Sequence, residues 1–118
     1  MTEELEQRVT IKLDGGVADV RLNRPAKLNA LDPPMFRALV RAGDRLSKDP
    51  SVRAVVLSGE GNGFCAGLDF KSFLSAGGSD LFAREPGSPA NGAQRAAWVW
   101  QEVPVPVIAA LHGVAYGG

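Results

Sequence analysis

One cysteine and one histidine among 118 residues leave little material for disulfide or metal chemistry. Cys65 alone excludes an internal disulfide, and with His112 it supplies no ligand cluster, a pattern that fits a reducing compartment. An excess of charge is missing too. Thirteen basic and thirteen acidic residues cancel, and neither sign forms a long block, so nothing electrostatic points to nucleic acid or an anionic membrane surface. Binding of a phosphate by a few chosen basic residues stays compatible with that balance. No apolar run is long enough to span a bilayer. The opening MTEELEQRVT is acidic and polar, where a secretory signal carries a basic end and an apolar core. These absences predict a soluble, cytoplasmic protein with room for one modest domain.

Glycine and proline are plentiful, and their positions punctuate the chain. Val9, Ile11 and Leu13 alternate with polar residues, Asp14-Gly15-Gly16 makes a turn, and Ala18, Val20 and Leu22 alternate again, which predicts an antiparallel hairpin with one buried face. Asn23 to Leu31 has no period and reads as an irregular loop. Asp32 is placed to cap a helix whose first turn holds Pro33 and Pro34, and whose apolar face carries Met35, Leu39, Ala42 and Leu46 until Pro50 ends it. Residues 53–57 form a short apolar run that reads as a parallel strand buried on both faces. Asp69 then opens a short helix to about Ala76, with Phe70, Phe73 and Leu74 on its apolar side. Residues 77–92 shift to Gly, Ser, Pro, Ala and Asn, the composition of a mobile loop. A second helix starts near Ala90, turns Ala93, Ala96, Ala97, Trp100 and Val103 inward and stops at Pro104. Residues 107–111 form the second buried strand, and His112-Gly113 turns the chain into its final glycines. Helix, apolar strand and glycine break thus occur twice, which argues for a mixed α/β fold.

The stretch SGEGNGFCAGLDFK, residues 58–71, carries the chemical interest. Glycines let backbone approach a ligand closely, and a helix cap at Asp69 collects unpaired N–H groups near Leu68. Such donors suit a developing oxyanion. A plain capped connection between strand and helix fits the same residues. Gly61 to Ala66 also matches GxGxxA, a dinucleotide fingerprint, but the acidic residues expected about twenty positions on, Asp80 and Glu85, fall inside the loop-like stretch. Two glycine breaks after two apolar strands are more informative together. If those strands are neighbours, the N–H groups of Leu68 and Gly118 can meet on one oxygen.

Three segments in series, NRPAKLNAL at 23–31, VRAVVLSGEGNGFCAGLDF at 52–70 and PVPVIAALHGVAYGG at 104–118, resemble the N-terminal part of the crotonase superfamily, the enoyl-CoA hydratase/isomerase family. The resemblance implies a spiral of β-β-α units, here running out at the C-terminus, with residues 1–118 as the N-terminal part of one acyl-CoA-binding domain. It implies an oxyanion hole made by the backbone N–H groups of Leu68 and Gly118, which stabilises a thioester enolate. Lys27 and Leu28 would then lie near the adenine and phosphates of CoA, and Ala66, Gly67, Leu68, Asp69, Phe70 and Lys71 along the pantetheine and thioester. The implied activity is enoyl-CoA hydration or isomerisation in a homotrimer or homohexamer. No metal or redox cofactor is needed, since CoA enters with the substrate. In hydratases of this family the acid/base glutamates lie beyond the final glycines, so a non-catalytic acyl-CoA-binding homologue or an incomplete fragment stays open, as does a nicotinamide-binding oxidoreductase.

Single residues keep modest expectations. Asp69 reads as a helix cap pointing away from any enolate, His112 as a hydrogen-bonded structural residue, and Cys65 as a small packed thiol. Trp98 and Trp100 cannot both face the core from one helix, which leaves one for an acyl pocket or a subunit contact.

Overall fold

A computed structural model describes residues 2–75, 84 and 86–118. It contains one five-stranded sheet in chain order: β1 (Thr2–Leu5), β2 (Val9–Asp14), β3 (Val17–Leu22), β4 (Ala54–Gly59) and β5 (Val107–Ala109). The first three strands are antiparallel, and β4 and β5 continue the sheet in parallel. The helices are α1 (Pro33–Ser47), α2 (Phe70–Ser75) and α3 (Gly92–Glu102).

The hairpin forms as its alternation predicts. Asp14 pairs with Val17 across Gly15-Gly16, whose φ values of 58° and 83° suit a two-residue turn that L side chains enter only with strain. Val9, Ile11, Ala18, Val20 and Leu22 are buried beneath α1. That helix starts as expected: Asp32 accepts a hydrogen bond from the Met35 N–H at 3.0 Å, Pro33 leads the first turn, and Met35, Leu39, Ala42 and Leu46 all point inward. Strand β1 was not legible, because TEEL has one apolar residue. It is held as an edge strand by pairing with β2 and by Glu3 and Glu6 meeting Arg45, Arg37 and Arg41 of α1.

Four expectations change. β4 is fully buried only at Val55; its other residues are half-buried, and Leu57 lines a cavity with Phe36 and Trp100. β5 ends at Ala109 and leaves Ile108 60% exposed, with Leu111 also exposed, so this strand is not buried on both faces. In α2 only Phe73 turns inward, stacking edge-on against Phe36 at 5.7 Å, while Phe70 and Leu74 are 70% and 79% exposed. Phe70 and Leu74 share a helix face with Phe73, but they stay exposed. Finally, α3 begins at Gly92 behind a capping box of Asn91 and Gln94, and it turns Ala96, Val99 and Val103 inward; Ala97 is exposed. Val99 sits where a Cβ on Gly43 of α1 would overlap its methyl groups, so the missing side chain on α1 sets the rotation of α3.

Of the segment expected to be mobile, residues 77–83 and 85 lie outside the described residues, as does the expected helix end at Ala76. Arg84 pairs with Asn91 in an isolated bridge.

Candidate active site

Behind the sheet, each connection adds one short extended segment to a second ladder. Leu31 follows β3, Cys65 to Leu68 follows β4, and Ala115 follows β5; they join through the parallel bridges Leu31–Leu68 and Cys65–Ala115. This is the repeated unit that winds the chain.

The first segment is organised by Asn29. Its side chain is fully buried, its Oδ1 accepts from the Arg24 N–H at 2.7 Å, and its Nδ2 donates to the carbonyls of Glu60 at 3.0 Å and Gly63 at 2.8 Å. Leu28 and Asn29 both take left-handed backbone, with φ of 50° and 58°. One buried amide therefore ties the irregular loop to the glycine break, and every polar atom of it is used.

The middle segment is paired on both sides. Toward the first, the Ala66 N–H donates to Leu28 O at 2.9 Å, Leu31 N–H to Gly67 O at 2.7 Å, and Asp69 N–H to Leu31 O at 2.9 Å. Toward the third, Cys65 N–H donates to Val114 O at 3.1 Å and Tyr116 N–H to Cys65 O at 2.9 Å. Successive groups of an extended chain point to opposite sides. With Gly67 O and Asp69 N–H both directed at Leu31, the Leu68 N–H faces the other way, where pairing with the third segment has ended at Tyr116. Neither Leu68 N–H nor Gly118 N–H donates to any described residue. The close approach needs glycine: Gly67 has φ of 88°, and a Cβ there would stand 2.9 Å from Tyr116 O.

Leu68 and Gly118 both line an open cleft of about 960 Å³, together with Ala66, Gly67, Phe70, Tyr116 and, from α3, Gln94, Trp98 and Gln101. That volume is in the range of small-molecule sites. A further cavity of about 270 Å³, walled by Leu22, Leu57, Val107 and Trp100, shares Leu31, Phe36 and Gly118 with it. The two tryptophans divide as their spacing requires: Trp98 faces the cleft and Trp100 packs against the core. Among the described residues, no carboxylate or imidazole lines the main cleft.

On the far side of residues 69–75 lies a polar cleft of about 640 Å³, walled by Arg24, Lys27, Asp32, Asp69, Lys71 and Ser72. The candidate residues are therefore split. Ala66, Gly67, Leu68, Phe70 and Gly118 share the main cleft, whereas Lys27, Asp69 and Lys71 share the polar one. Leu28 lines neither; its carbonyl accepts from Ala66 and its side chain packs near Gly63.

Asp69 points away from the main cleft. Its Oδ1 accepts from the Ser72 N–H at 3.0 Å, and its Oδ2 from the Ser72 hydroxyl at 2.8 Å and from Arg24 Nη1 at 2.8 Å. The Ser72 N–H, then Arg24 and the Ser72 hydroxyl, hold the carboxyl down to about 2. Burial pushes Asp32 up, but the Arg8 guanidinium, the Met35 N–H and the charge of Arg24 outweigh it, so this carboxyl too sits below its ordinary range. Burial raises the Cys65 thiol against a smaller opposing hydrogen bond from the Gly67 N–H, which leaves it protonated and inert at neutral pH. His112 Nε2 lies 2.8 Å from Gly61 O and donates to it, the structural role expected of it.

Arg24 and Asn29 were missed by sequence reasoning. Arg24 is 45 positions from Asp69, and nothing local announces that pairing. Asn29 carried a weak signal, an asparagine inside an aperiodic loop, where left-handed backbone is common.

The dinucleotide fingerprint fails on geometry. After Gly63 the chain enters the Cys65–Ala115 bridge, and α2 begins only at Phe70, so the glycine run does not open a helix.

A mixed sheet backed by a ladder of extended segments, with glycine backbones flooring a cleft, is the architecture of the crotonase fold. Residues 12–118 match the enoyl-CoA hydratase/isomerase family, and the chain belongs to it. Enoyl-CoA hydratase EchA19 of Mycobacterium tuberculosis is 38% identical over 99 residues, covering 84% of this chain and 36% of that protein. A mitochondrial Delta(3,5)-Delta(2,4)-dienoyl-CoA isomerase of Rattus norvegicus is 37% identical over 116 residues, covering 86% and 33%. The crystal structure of an enoyl-CoA hydratase/isomerase from Xanthobacter autotrophicus Py2 superposes with a TM-score of 0.75 at 32% identity, over 90% of this chain and 39% of that one. The chain thus spans between a third and two-fifths of the length of these proteins. No helix among the described residues is long and apolar enough to cross a membrane.

Proposed function

We propose that these residues form the acyl-CoA-binding part of an enoyl-CoA hydratase or isomerase, in which the N–H groups of Leu68 and Gly118 polarise the thioester carbonyl. The observation that carries the reading is that both donors lack a partner among the described residues and line one cleft, while the groups flanking Leu68, Gly67 O and Asp69 N–H, are both bonded to Leu31. An enolate oxygen held there would gain about 3 kcal/mol from each well-placed donor. In this reading the acyl group lies along Ala66 to Phe70, and the CoA phosphates reach the polar cleft beside Lys27 and Lys71. Leu28 holds Ala66 through its backbone carbonyl, and its side chain, 39% exposed, stays available to CoA. The main cleft has no carboxylate among the described residues, and Asp69 is ion-paired outside it, so the part these residues play is polarisation and not proton transfer. The reading requires no metal or redox group. We propose in addition a cytoplasmic setting and assembly into trimers or paired trimers.

The test is isotope-edited infrared spectroscopy of a 2-enoyl-CoA labelled with 13C at its thioester carbonyl. Binding should lower the carbonyl stretch, and Gly118→Pro, which deletes one N–H, should return most of that shift and lower turnover by about 10²- to 10³-fold. A bound thioester with an unshifted carbonyl would sink the oxyanion reading. Shifted binding without hydration or isomerisation would select the second reading, an acyl-CoA-binding homologue.

A further inference from the structure

Arg24 occupies a place in the ladder that its sequence position does not announce. Its Nη1 donates both to Asp69 Oδ2 at 2.8 Å and to Ala30 O at 3.1 Å, and its Nη2 lies 3.6 Å from Asp32. Ala30 is the residue before Leu31, and Asp69 is the residue after Leu68, so one guanidinium clamps both sides of the Leu31–Leu68 bridge. Both side chains of the pair are mostly shielded, with 15% and 14% exposure. Lys27 and Lys71, on the same polar cleft, are exposed. A planar fork can serve two acceptors at fixed angles, whereas an ammonium is a point charge that serves them without fixing direction.

We infer that Arg24 is a positioning residue: through Asp69 and Ala30 it fixes the plane of the Leu68 peptide, and so the direction in which the Leu68 N–H points into the main cleft. The inference rests on the oxyanion reading of that cleft. The same pairing keeps the Asp69 carboxylate, one residue from the donor, turned away from a site where negative charge would develop. Arg24 thereby acts on the substrate oxygen through Leu68 without touching it. Nη1 is committed to Asp69 and Ala30, the two contacts through which Arg24 acts on the ladder.

Two measurements on the 118-residue chain test this. Amide hydrogen exchange without ligand reads the clamp itself. In Arg24→Gln the amides of Leu31 and Asp69, both bonded across the bridge, should exchange about tenfold faster, as loss of a charged hydrogen bond requires, while the Val20 and Ile11 amides of the hairpin stay unchanged. Arg24→Lys should recover only part of the protection. The carbonyl stretch of a bound 13C-labelled 2-enoyl-CoA then reads the consequence: Arg24→Gln and Asp69→Asn should each reduce the shift, with hairpin exchange as the check that the fold persists. Unaltered Leu31 and Asp69 exchange, or a full carbonyl shift in Arg24→Gln accompanied only by weaker affinity, would overturn the role given to Arg24. An absent shift in the unaltered chain would overturn the oxyanion reading itself, and the two failures are told apart by which protein loses the signal.

Discussion

The scaffold of residues 2–59 and the cleft walls of residues 64–75 and 91–118 treat their apolar side chains in opposite ways. In the scaffold Val9, Val20, Leu22, Met35, Leu46 and Val55 are fully buried, in a continuous layer between the sheet and α1. In the walls Phe70, Trp98 and Tyr116 stay exposed along the main cleft, Leu74, Ile108 and Leu111 are exposed outside it, and only Phe73, Ala96, Val99 and a few others reach the interior. The contrast separates two uses of apolar surface. Buried between packed elements it holds the fold; left at the rim of an open cleft it is available to an apolar ligand or a covering surface.

Four substitutions probe that contrast, with effects expected to fall from the first to the last. Met35→Ala empties a fully buried position and should cost about 2–5 kcal/mol in urea unfolding; a loss below about 0.5 kcal/mol would mean the scaffold is not tightly packed. Gly43→Ala pushes a methyl into Val99 at the crossing of α1 and α3, with an expected cost of about 1–3 kcal/mol by the same measurement. If that variant is as stable as the parent, the helices do not meet this closely. Asp69→Asn should reveal itself through pH. The folded carboxyl is held down to about 2, below its ordinary value near ~4, so its stabilising effect is complete above about pH 4 and lost as pH falls toward 2. Thermal melts should therefore separate parent and variant at pH 6 and bring them together near pH 2; a constant separation would remove the Asp69 contribution. Leu74→Ser, at a 79% exposed site, should shift stability by no more than about 0.5 kcal/mol, and a larger loss would show that this face of α2 is covered in solution.

Much of the scaffold was legible because it obeys local rules. Alternation marked the buried face of the hairpin, Gly15-Gly16 marked its turn, and Asp32 with two prolines marked the start of α1. The walls were less legible. Apolar spacing in α2 predicted three inward residues where one is buried, because spacing reports a stripe and not whether anything covers it. In α3 the predicted face was displaced toward Ala97, because the fit of Val99 over Gly43 is a property of two helices and is invisible in either alone.

For the candidate site, the glycine breaks and the cap at Asp69 are written in the sequence, since these are properties set by residues close in the chain, and the proposed donors at Leu68 and Gly118 follow from them. Packing at long range brings Leu68 and Gly118 into one cleft, places Lys27 and Lys71 in another, and carries Arg24 to Asp69 across 45 positions. Those facts depend on β3, β4 and β5 lying side by side, so that three segments distant in sequence become neighbours in one ladder. Local chemistry selects which groups are free to bind, and strand order selects which of them meet.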